Sequence, residues 1–539
     1  MQDTKWIIVT GGIMSGLGKG TTAASIGRLI KSDKKIIAIK CDGYLNVDPG
    51  TINPTEHGEV FVLCDGGEVD MDFGHYERFL DIDCKFEWNL TSGKIFNAVI
   101  EKERKGDYLG RTIQIFPHII DEIKYRLKKI AKDEKADIVI IEIGGTVGDI
   151  ENSWFIEAVK QLRKEVGKEN ILYTHVTYIP FLDSVEELKT KPSQRDIALL
   201  RERGIYPDII IGRCRLPLDK RIKEKLALFS DVEPDMIISG QNIESVYEIP
   251  IMFEKEGIIP IIKSKLKIDY DTDISEWKEL VKKIKNPKKE ITIAIGGKYT
   301  YLKDSYASII EALIHSGAHN DCRVKIKWIE TTDIEQGKIS CRDALKDVQG
   351  LIIPGGFGSR GIEGKIRLIH FVRENKIPFL GICYGLQLAV VEFARNICNL
   401  KNANTTESNE NSEDPVVCIL PEQKDVTKKG GTMRLGGYTA ELKKGTIIQR
   451  LYGSEKAYER HRHRYEVNPD YHEILVKNGL IFSGTSMNGR LVEYIELNQK
   501  EHPYFIATQA HPELTSRLER PNPLFLGLVK VSINQKENK

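Results

Sequence analysis

Residues 6–22 read WIIVTGGIMSGLGKGTT. The apolar run at 6–10 has the character of a strand covered on both faces. A glycine-rich turn follows, and TTAASIGRLIKS (21–32) has helical periodicity. A second apolar strand, Lys35 to Lys40, comes next. Strand, glycine turn, helix, strand is the order of a parallel α/β sheet. A turn in that place can hold phosphate with backbone N–H groups and a helix N-terminus, and Lys19 can carry positive charge toward the outer phosphates. The turn is not a strict GxxxxGK[ST] loop. Ile13 stands where its first glycine belongs and Gly20 where its Ser or Thr belongs, which leaves Thr21 or Thr22 to supply a hydroxyl. The plainer reading is a glycine turn that only shapes a helix start.

Working outward, further apolar strands fall at Ala136 to Ile143, Ile171 to Ile179, Ile209 to Gly212 and Asp235 to Ser239, with helical periodicity at 118–132 and 152–165. Residues 1–270 therefore read as one doubly wound α/β domain with a P-loop-like start. The polar segment 271–290 reads as a linker holding one short helix, SEWKELVKKIK. A fresh series opens at ITIAIGGKY (291–299) and runs through a helix (305–316), a strand (324–329), LIIPGGFG (351–358), a helix (362–374) and IPFLGICYGLQLAVVEFA. It makes 291–539 a second doubly wound α/β domain. The polar run KNANTTESNENSED (401–414) reads as a solvent-exposed insertion or loop.

Composition agrees with two large domains: 539 residues, 41% hydrophobic and 29% charged. Lys+Arg (79) and Asp+Glu (78) leave a net charge of +1, which excludes nucleic-acid binding driven by overall charge. No run approaches the roughly 18 apolar residues of a membrane span, and no signal peptide is indicated. Nine cysteines without a CxxC pair suit the reduced thiols of a cytoplasmic protein.

Two groups of residues carry chemistry. In the first domain, Lys40 ends a strand at the edge where such sheets bind ligands. Asp72 lies in the polar stretch DMDFGHYER, and Glu142 near the end of a buried strand before GGTVGD. Two carboxylates beside a triphosphate most simply hold Mg²⁺, and salt bridges or helix capping are the plainer reading. The basic series Lys189, Lys191, Arg195 and Lys225 suits either a second anion or a solvated face. In the second domain, Gly381-Ile382-Cys383-Tyr384-Gly385 is a nucleophile elbow with Cys as the nucleophile. Pro354-Gly355-Gly356-Phe357-Gly358 can present oxyanion N–H groups, and His511-Pro512-Glu513 supplies a base and its orienter. On an extended segment, residues i and i+2 point the same way. The strip Arg460-His461-Arg462-His463-Arg464-Tyr465 reads as a carboxylate-binding or domain-interface strand rather than a metal site.

The chain resembles the CTP synthases over about residues 2 to 533, on DGYLNVDPGTINPTEHGEVFV (42–62), DFGHYERF (72–79), EIGGTVGDIE (142–151), KTKPSQ (189–194), GGTMRLG (430–436) and ERHRHRYEVN (459–468). Its second half resembles the class I glutamine amidotransferases. The resemblance implies that UTP is phosphorylated on O4 by ATP with Mg²⁺, and that ammonia from glutamine then gives CTP. Gly16, Leu17, Gly18, Lys19, Gly20 and Thr21 match the ATP loop. Asp72 matches an ATP and magnesium contact, Glu142 the second magnesium ligand, and Lys40 a phosphate contact. Ser15, Asp149, Ile150, Glu151, Lys189, Thr190, Lys191, Pro192, Ser193, Gln194 and Lys225 match the UTP/CTP site.

Cys383, His511 and Glu513 match the glutaminase triad. Gly356, Tyr384, Gly385, Leu386, Gln387, Glu407 and Arg464 match glutamine contacts, and Arg360 part of a lid through which GTP activates. The resemblance also implies an internal ammonia tunnel, a homotetramer, filaments in some members, and neither nucleic-acid nor membrane partners. Tyr384 stands where the family has an aliphatic residue, and Ala510 where an aromatic precedes the histidine. The pair suggests that Tyr384 fills the space Ala510 leaves. The alternatives are another ATP- and glutamine-dependent amide synthetase of the cobyrinate type, or a non-catalytic filament-forming homologue.

Overall fold

A computed structural model describes residues 4–12, 14–52, 58–269, 271–298, 303–358, 360–419 and 433–538. Ile13 of the glycine turn, Tyr299, and parts of the strings 42–62 and 430–436 lie outside the described residues. The chain divides into two units, residues 1–49 with 72–278, and residues 50–71 with 279–539.

The first unit is built on a seven-stranded sheet. Its strands are β1 (Lys5–Gly11), β2 (Ile36–Asp42), β3 (Asn89–Thr91), β4 (Ile138–Ile143), β5 (Ile171–Tyr178), β6 (Ile209–Cys214) and β7 (Ile237–Gln241). The order is β7-β6-β5-β1-β4-β2-β3, and every pairing is parallel. Ile7, Ile8, Ile39 and Ile141 have no exposed surface, as continuous apolar runs in a covered sheet require. A wholly parallel sheet brings all carboxyl ends to one edge. The turns after β1, β2, β4 and β5 therefore leave from the same side.

Helix α1 (Lys19–Leu29) starts two residues earlier than its apolar periodicity suggests, because Gly18 takes a left-handed φ of 80° and turns the chain into it. The polar stretch around Asp72 is helical. It forms helix α2 (Asp72–Leu80), which buries Phe73, Tyr76 and Phe79 on one face. The segment read as a linker holds helix α3 (Ser275–Lys285), and its Trp277 is fully buried against Phe79 and Tyr247, with the indole N–H donating to the Tyr247 carbonyl at 2.8 Å.

The second unit contains a nine-stranded mixed sheet. Five strands are parallel: β8 (Lys289–Gly297), β9 (Cys322–Glu330), β10 (Gly350–Ile353), β11 (Phe379–Ile382) and the late strand β16 (Phe505–Thr508), in the order β9-β8-β10-β11-β16. The sheet continues antiparallel through β15 (Val492–Glu496), β14 (Ile481–Ser486), β12 (Arg434–Leu442) and β13 (Lys456–His463). This extension goes beyond a simple doubly wound pattern. The run 401–414 is not wholly exposed either: Ala403–Thr405 is a strand whose Ala403 and Thr405 are fully buried.

Residues 50–71, placed in the first domain by position along the chain, pack with the second unit. Phe61–Val62 and Glu68–Val69 form a hairpin there. Arg460, without exposed surface, donates to the Val62 carbonyl at 3.0 Å, and Arg462 pairs with Glu68 at 2.7 Å. The Arg/His strip is thus an internal docking strand for this hairpin. Among the described residues no helix is long and apolar enough to cross a membrane.

Candidate active sites

In the first unit, strand register sets the site. Lys40 of β2 lies opposite Glu142 of β4, so their side chains share a face. The buried Lys40 ammonium donates to Glu142 at 2.8 Å, bonds Asp72 at the start of α2, and lies 3.9 Å from Asp42. Burial opposes its charge, but the three carboxylates hold its pKa well above the ordinary lysine value. Asp72 is pushed up by burial and pulled down further by Lys40, so it stays ionised. Tyr76 donates to the other oxygen of Glu142.

This cluster explains Gly20. A Cβ there would lie 2.6 Å from Asp72 Oδ1 and 3.3 Å from Glu142 Oε2. The hydroxyl residue of a strict phosphate loop has no room, because two carboxylates converge on its place. Lys19 is buried and donates to the Gly145 carbonyl at 2.7 Å, bridging the loop to the turn after β4. Burial lowers its pKa against the pull of Glu142.

The residues matched to the UTP/CTP site lie on the same sheet edge. Ser15 and Gly16 are exposed at the tip of the turn after β1. Asp149 accepts from the Thr146 N–H at 2.6 Å and precedes the short turn 150–152, in which Ile150 is 76% exposed. After β5, Thr190 precedes helix α4 (Lys191–Glu202), with Pro192 in its first turn. Ser193 donates to the Tyr178 carbonyl at 2.7 Å, and Gln194 to Thr190 at 3.1 Å. Lys191 lies over the Phe229 ring, 5.6 Å from its centroid, and Lys189 pairs with Glu187 at 2.5 Å. Lys225 is exposed, and its charge also acts on Glu187.

In the second unit, Cys383 sits between β11 and helix α5 (Tyr384–Asn396) with φ 51° and ψ −102°. That is the strained turn of a nucleophile elbow, and it directs the side chain out of the sheet edge. Gly385 is required there, since a Cβ would come 2.1 Å from the Ile353 carbonyl oxygen of the neighbouring strand. Cys383 lines a cavity of about 310 Å³ with His511, Glu513, Gly355, Gly356 and Lys365.

His511 and Glu513 do not share an extended segment. Residues 512–515 form a 3₁₀ turn, which still brings His511 Nδ1 within 2.7 Å of Glu513 Oε1. His511 Nε2 is buried and unbonded. Burial disfavours the imidazolium, yet Glu513 and Cys383 together raise His511 to about 10. His511 is therefore protonated at neutral pH. Gly355 packs against both partners: a Cβ there would lie 2.8 Å from His511 Cε1 and 3.7 Å from Cys383 Cβ.

Glu407 accepts from the Gly358 N–H at 2.8 Å, and burial raises its pKa against the pull of Lys298, Lys365 and Arg464. Gln387 donates to the Tyr465 carbonyl at 2.9 Å. Arg360 is exposed, and its charge acts on Lys298. Tyr384 is buried, with its hydroxyl 3.4 Å from the Gly358 carbonyl and its ring beneath Lys365. Its hydroxyl and ring thus meet the loop after β10 and the helix that follows it.

Three side chains near the sulfur escape a motif reading. Gln509 directs its amide to Cys383 Sγ at 3.7 Å. Lys365 is buried, and its ammonium has neither a hydrogen bond nor an ion pair among the described residues; burial, with Lys298 nearby, lowers its pKa to about 8. Lys298 bonds the Phe357 carbonyl. Gln509 has a faint signal, two residues before the histidine. The lysines have none.

A phosphate-loop sheet and a cysteine–histidine–glutamate site on one chain define an ATP-dependent ligase fed by a glutamine amidotransferase. The family model for the CTP synthase N-terminus matches residues 5–268, and that for class I glutamine amidotransferases matches 301–531. CTP synthases from Methanococcus aeolicus and Methanocaldococcus jannaschii are 52% and 53% identical, each over 99% of this chain and 100% of the relative. One from Borreliella burgdorferi is 52% identical over the same shares. The glutaminase domain of Trypanosoma brucei CTPS, solved with bound acivicin, is 33% identical, covering 45% of this chain and 94% of its own, with a TM-score of 0.42. The chain belongs to the CTP synthase family.

Proposed function

We propose that this chain makes CTP from UTP, consuming ATP and taking nitrogen from glutamine. The observation that carries the reading is that the Cys383–His511–Glu513 set and the Lys19–Lys40–Asp72–Glu142 cluster occur in one chain of this family. Neither alternative, a cobyrinate-type synthetase or a non-catalytic homologue, is favoured.

In the first unit, Lys19 and the N–H groups at the start of α1 bind the ATP phosphates. The uracil O4 attacks the γ-phosphorus, an O–P bond forms, and ADP leaves. Ammonia then attacks C4 and expels phosphate. Asp72 and Glu142 fit Mg²⁺, because they are hard oxygen donors converging on one point beside the phosphate loop. When bound, Mg²⁺ neutralises charge on the triphosphate. Lys40 holds both carboxylates in place and keeps Asp72 ionised.

In the second unit, Cys383 attacks the glutamine amide as a thiolate. The loop at Gly355 and Gly356 offers N–H groups to the oxyanion. His511 gives its proton to the departing ammonia, then takes one from the water that cleaves the thioester. Glu513 orients the imidazole ring and steadies its charged form. We also place UTP/CTP at residues 149–151 and 189–194, glutamine's charged ends at Glu407 and Arg464, and GTP activation at Arg360. A homotetramer in the cytoplasm belongs to the same reading.

The test is isotopic. UTP carrying ¹⁸O at O4 should deliver one ¹⁸O to each phosphate released, in step with CTP. Phosphate free of label would refute O4 phosphorylation.

A further inference from the structure

We propose that Lys298 and Glu407 clamp the two ends of one peptide group and thereby set the oxyanion loop of the glutaminase site, with Lys298 as a positioning residue for that reaction. The proposal rests on the reading of Cys383 as the nucleophile.

The loop in question connects β10 to the helix starting at Ile362. The peptide joining Phe357 to Gly358 has its carbonyl bonded by the Lys298 ammonium. Its N–H donates to Glu407 Oε1 at 2.8 Å. A cation on the oxygen and a carboxylate on the nitrogen match the peptide dipole at both ends. Rotating this peptide would break two charge-assisted bonds at once.

Both clamping groups are themselves fixed. Lys298 follows directly on β8, which pairs in parallel with β10, with Ile295 opposite Ile352. The Tyr306 hydroxyl donates to the Lys298 carbonyl at 2.7 Å, so the lysine leaves from an anchored backbone. Glu407 follows the buried strand Ala403–Thr405, and its own N–H donates to Thr405 Oγ1 at 3.2 Å. A third contact, Tyr384 to the Gly358 carbonyl at 3.4 Å, ties this segment to the start of α5.

The loop needs such a device. Gly358 and Gly361 both have left-handed φ, 78° and 77°, so the backbone here has conformations open to it that other residues resist. Gly355 and Gly356 lie immediately upstream and face the cavity with Cys383 and His511. A flip at 357–358 would turn their N–H groups away from the place where charge develops. Preorganised donors stabilise that charge only if they need not reorient during the reaction.

The experiment compares two reactions of Cys383. Glutamine hydrolysis passes through an oxyanion. Alkylation by iodoacetamide displaces iodide at a saturated carbon and forms none. In Lys298→Met, kcat for glutamine should fall about 10- to 100-fold with KM changed less than about threefold. The rate of Cys383 alkylation should stay within about twofold, which also reports that the unit is folded. Lys298→Arg, which keeps a donor, should recover most of kcat. Equal loss of hydrolysis and alkylation, or full hydrolysis in Lys298→Met, would overturn the clamp. Wild-type protein that fails to hydrolyse glutamine would overturn the reading beneath it, and the clamp with it.

Discussion

Two buried lysines, one in each unit, show opposite electrostatic designs. Lys40 lies on β2, two residues before its end, among Asp42, Asp72 and Glu142; it stays charged far beyond neutrality. Lys365 lies in the first turn of its helix, without an ion-pair partner among the described residues, and burial brings it to about 8. The helix N-terminus adds to the cost of its charge. The first lysine organises two carboxylates beside the phosphate loop. The second keeps positive charge beside a site where negative charge develops, at the expense of stability. Burial alone thus says little about a lysine; the carboxylates within reach decide its state.

The largest effect should come from breaking the paired side. Glu142→Gln removes one of the carboxylates holding Lys40. CTP formation should fall at least about 100-fold with either glutamine or ammonia. Removing one partner of a buried pair should also cost about 3–5 kcal/mol of stability, read by denaturant unfolding. Wild-type rates with ammonia would contradict the role given to this cluster.

The unpaired side should respond in the opposite sense. An unfolded lysine titrates near 10.5, Lys365 in the fold at about 8. Between these values the unfolded chain binds more protons, so stability rises with pH across this window. The cost is complete below pH 8 and reaches roughly 3 kcal/mol. Lys365→Met should therefore stabilise the protein near pH 7, and the gain should vanish above pH 10.5. A loss of stability at pH 7 would mean that the ammonium has a partner.

Smaller effects test the histidine and the glycine. Glu513→Gln should lower glutamine kcat about 10- to 100-fold and leave the ammonia reaction intact. Because Glu513 helps raise His511 to about 10, its loss should move the alkaline limb of glutaminase activity to lower pH. The stability tied to the His511 proton is complete below about pH 6.5 and is lost as pH rises through about 10, so this variant should also flatten that dependence. Gly20→Ala should raise the KM for ATP about tenfold, since the added carbon meets Asp72 Oδ1 at 2.6 Å. An unchanged KM would show that the carboxylates can yield.

Much of this was legible in the residues. The strand–glycine–helix order around Lys19 and the elbow around Cys383 are local patterns, and local patterns survive in a linear reading. The cluster of Lys40 with Glu142 was half legible: both residues sit near strand ends, but their contact depends on which strands are neighbours. Asp72 reads in sequence only as part of a polar stretch, because a helix of nine residues gives its periodicity little length in which to show. The hairpin at 61–69 and its partners Arg460 and Arg462 are nearly 400 positions apart, beyond any local signal. Lys298 and Lys365 belong to the same class. Nothing in their neighbours along the chain marks them, and only the fold puts them under the loop that follows β10.

The central claim is that nitrogen freed at Cys383 aminates a pyrimidine activated in the other unit. Its most direct test is the initial rate of CTP formation by Cys383→Ala, with glutamine and with ammonia as donors. The account predicts no CTP from glutamine and a near wild-type rate from ammonia. Retained synthesis from glutamine, or loss of both reactions in a folded protein, would contradict it.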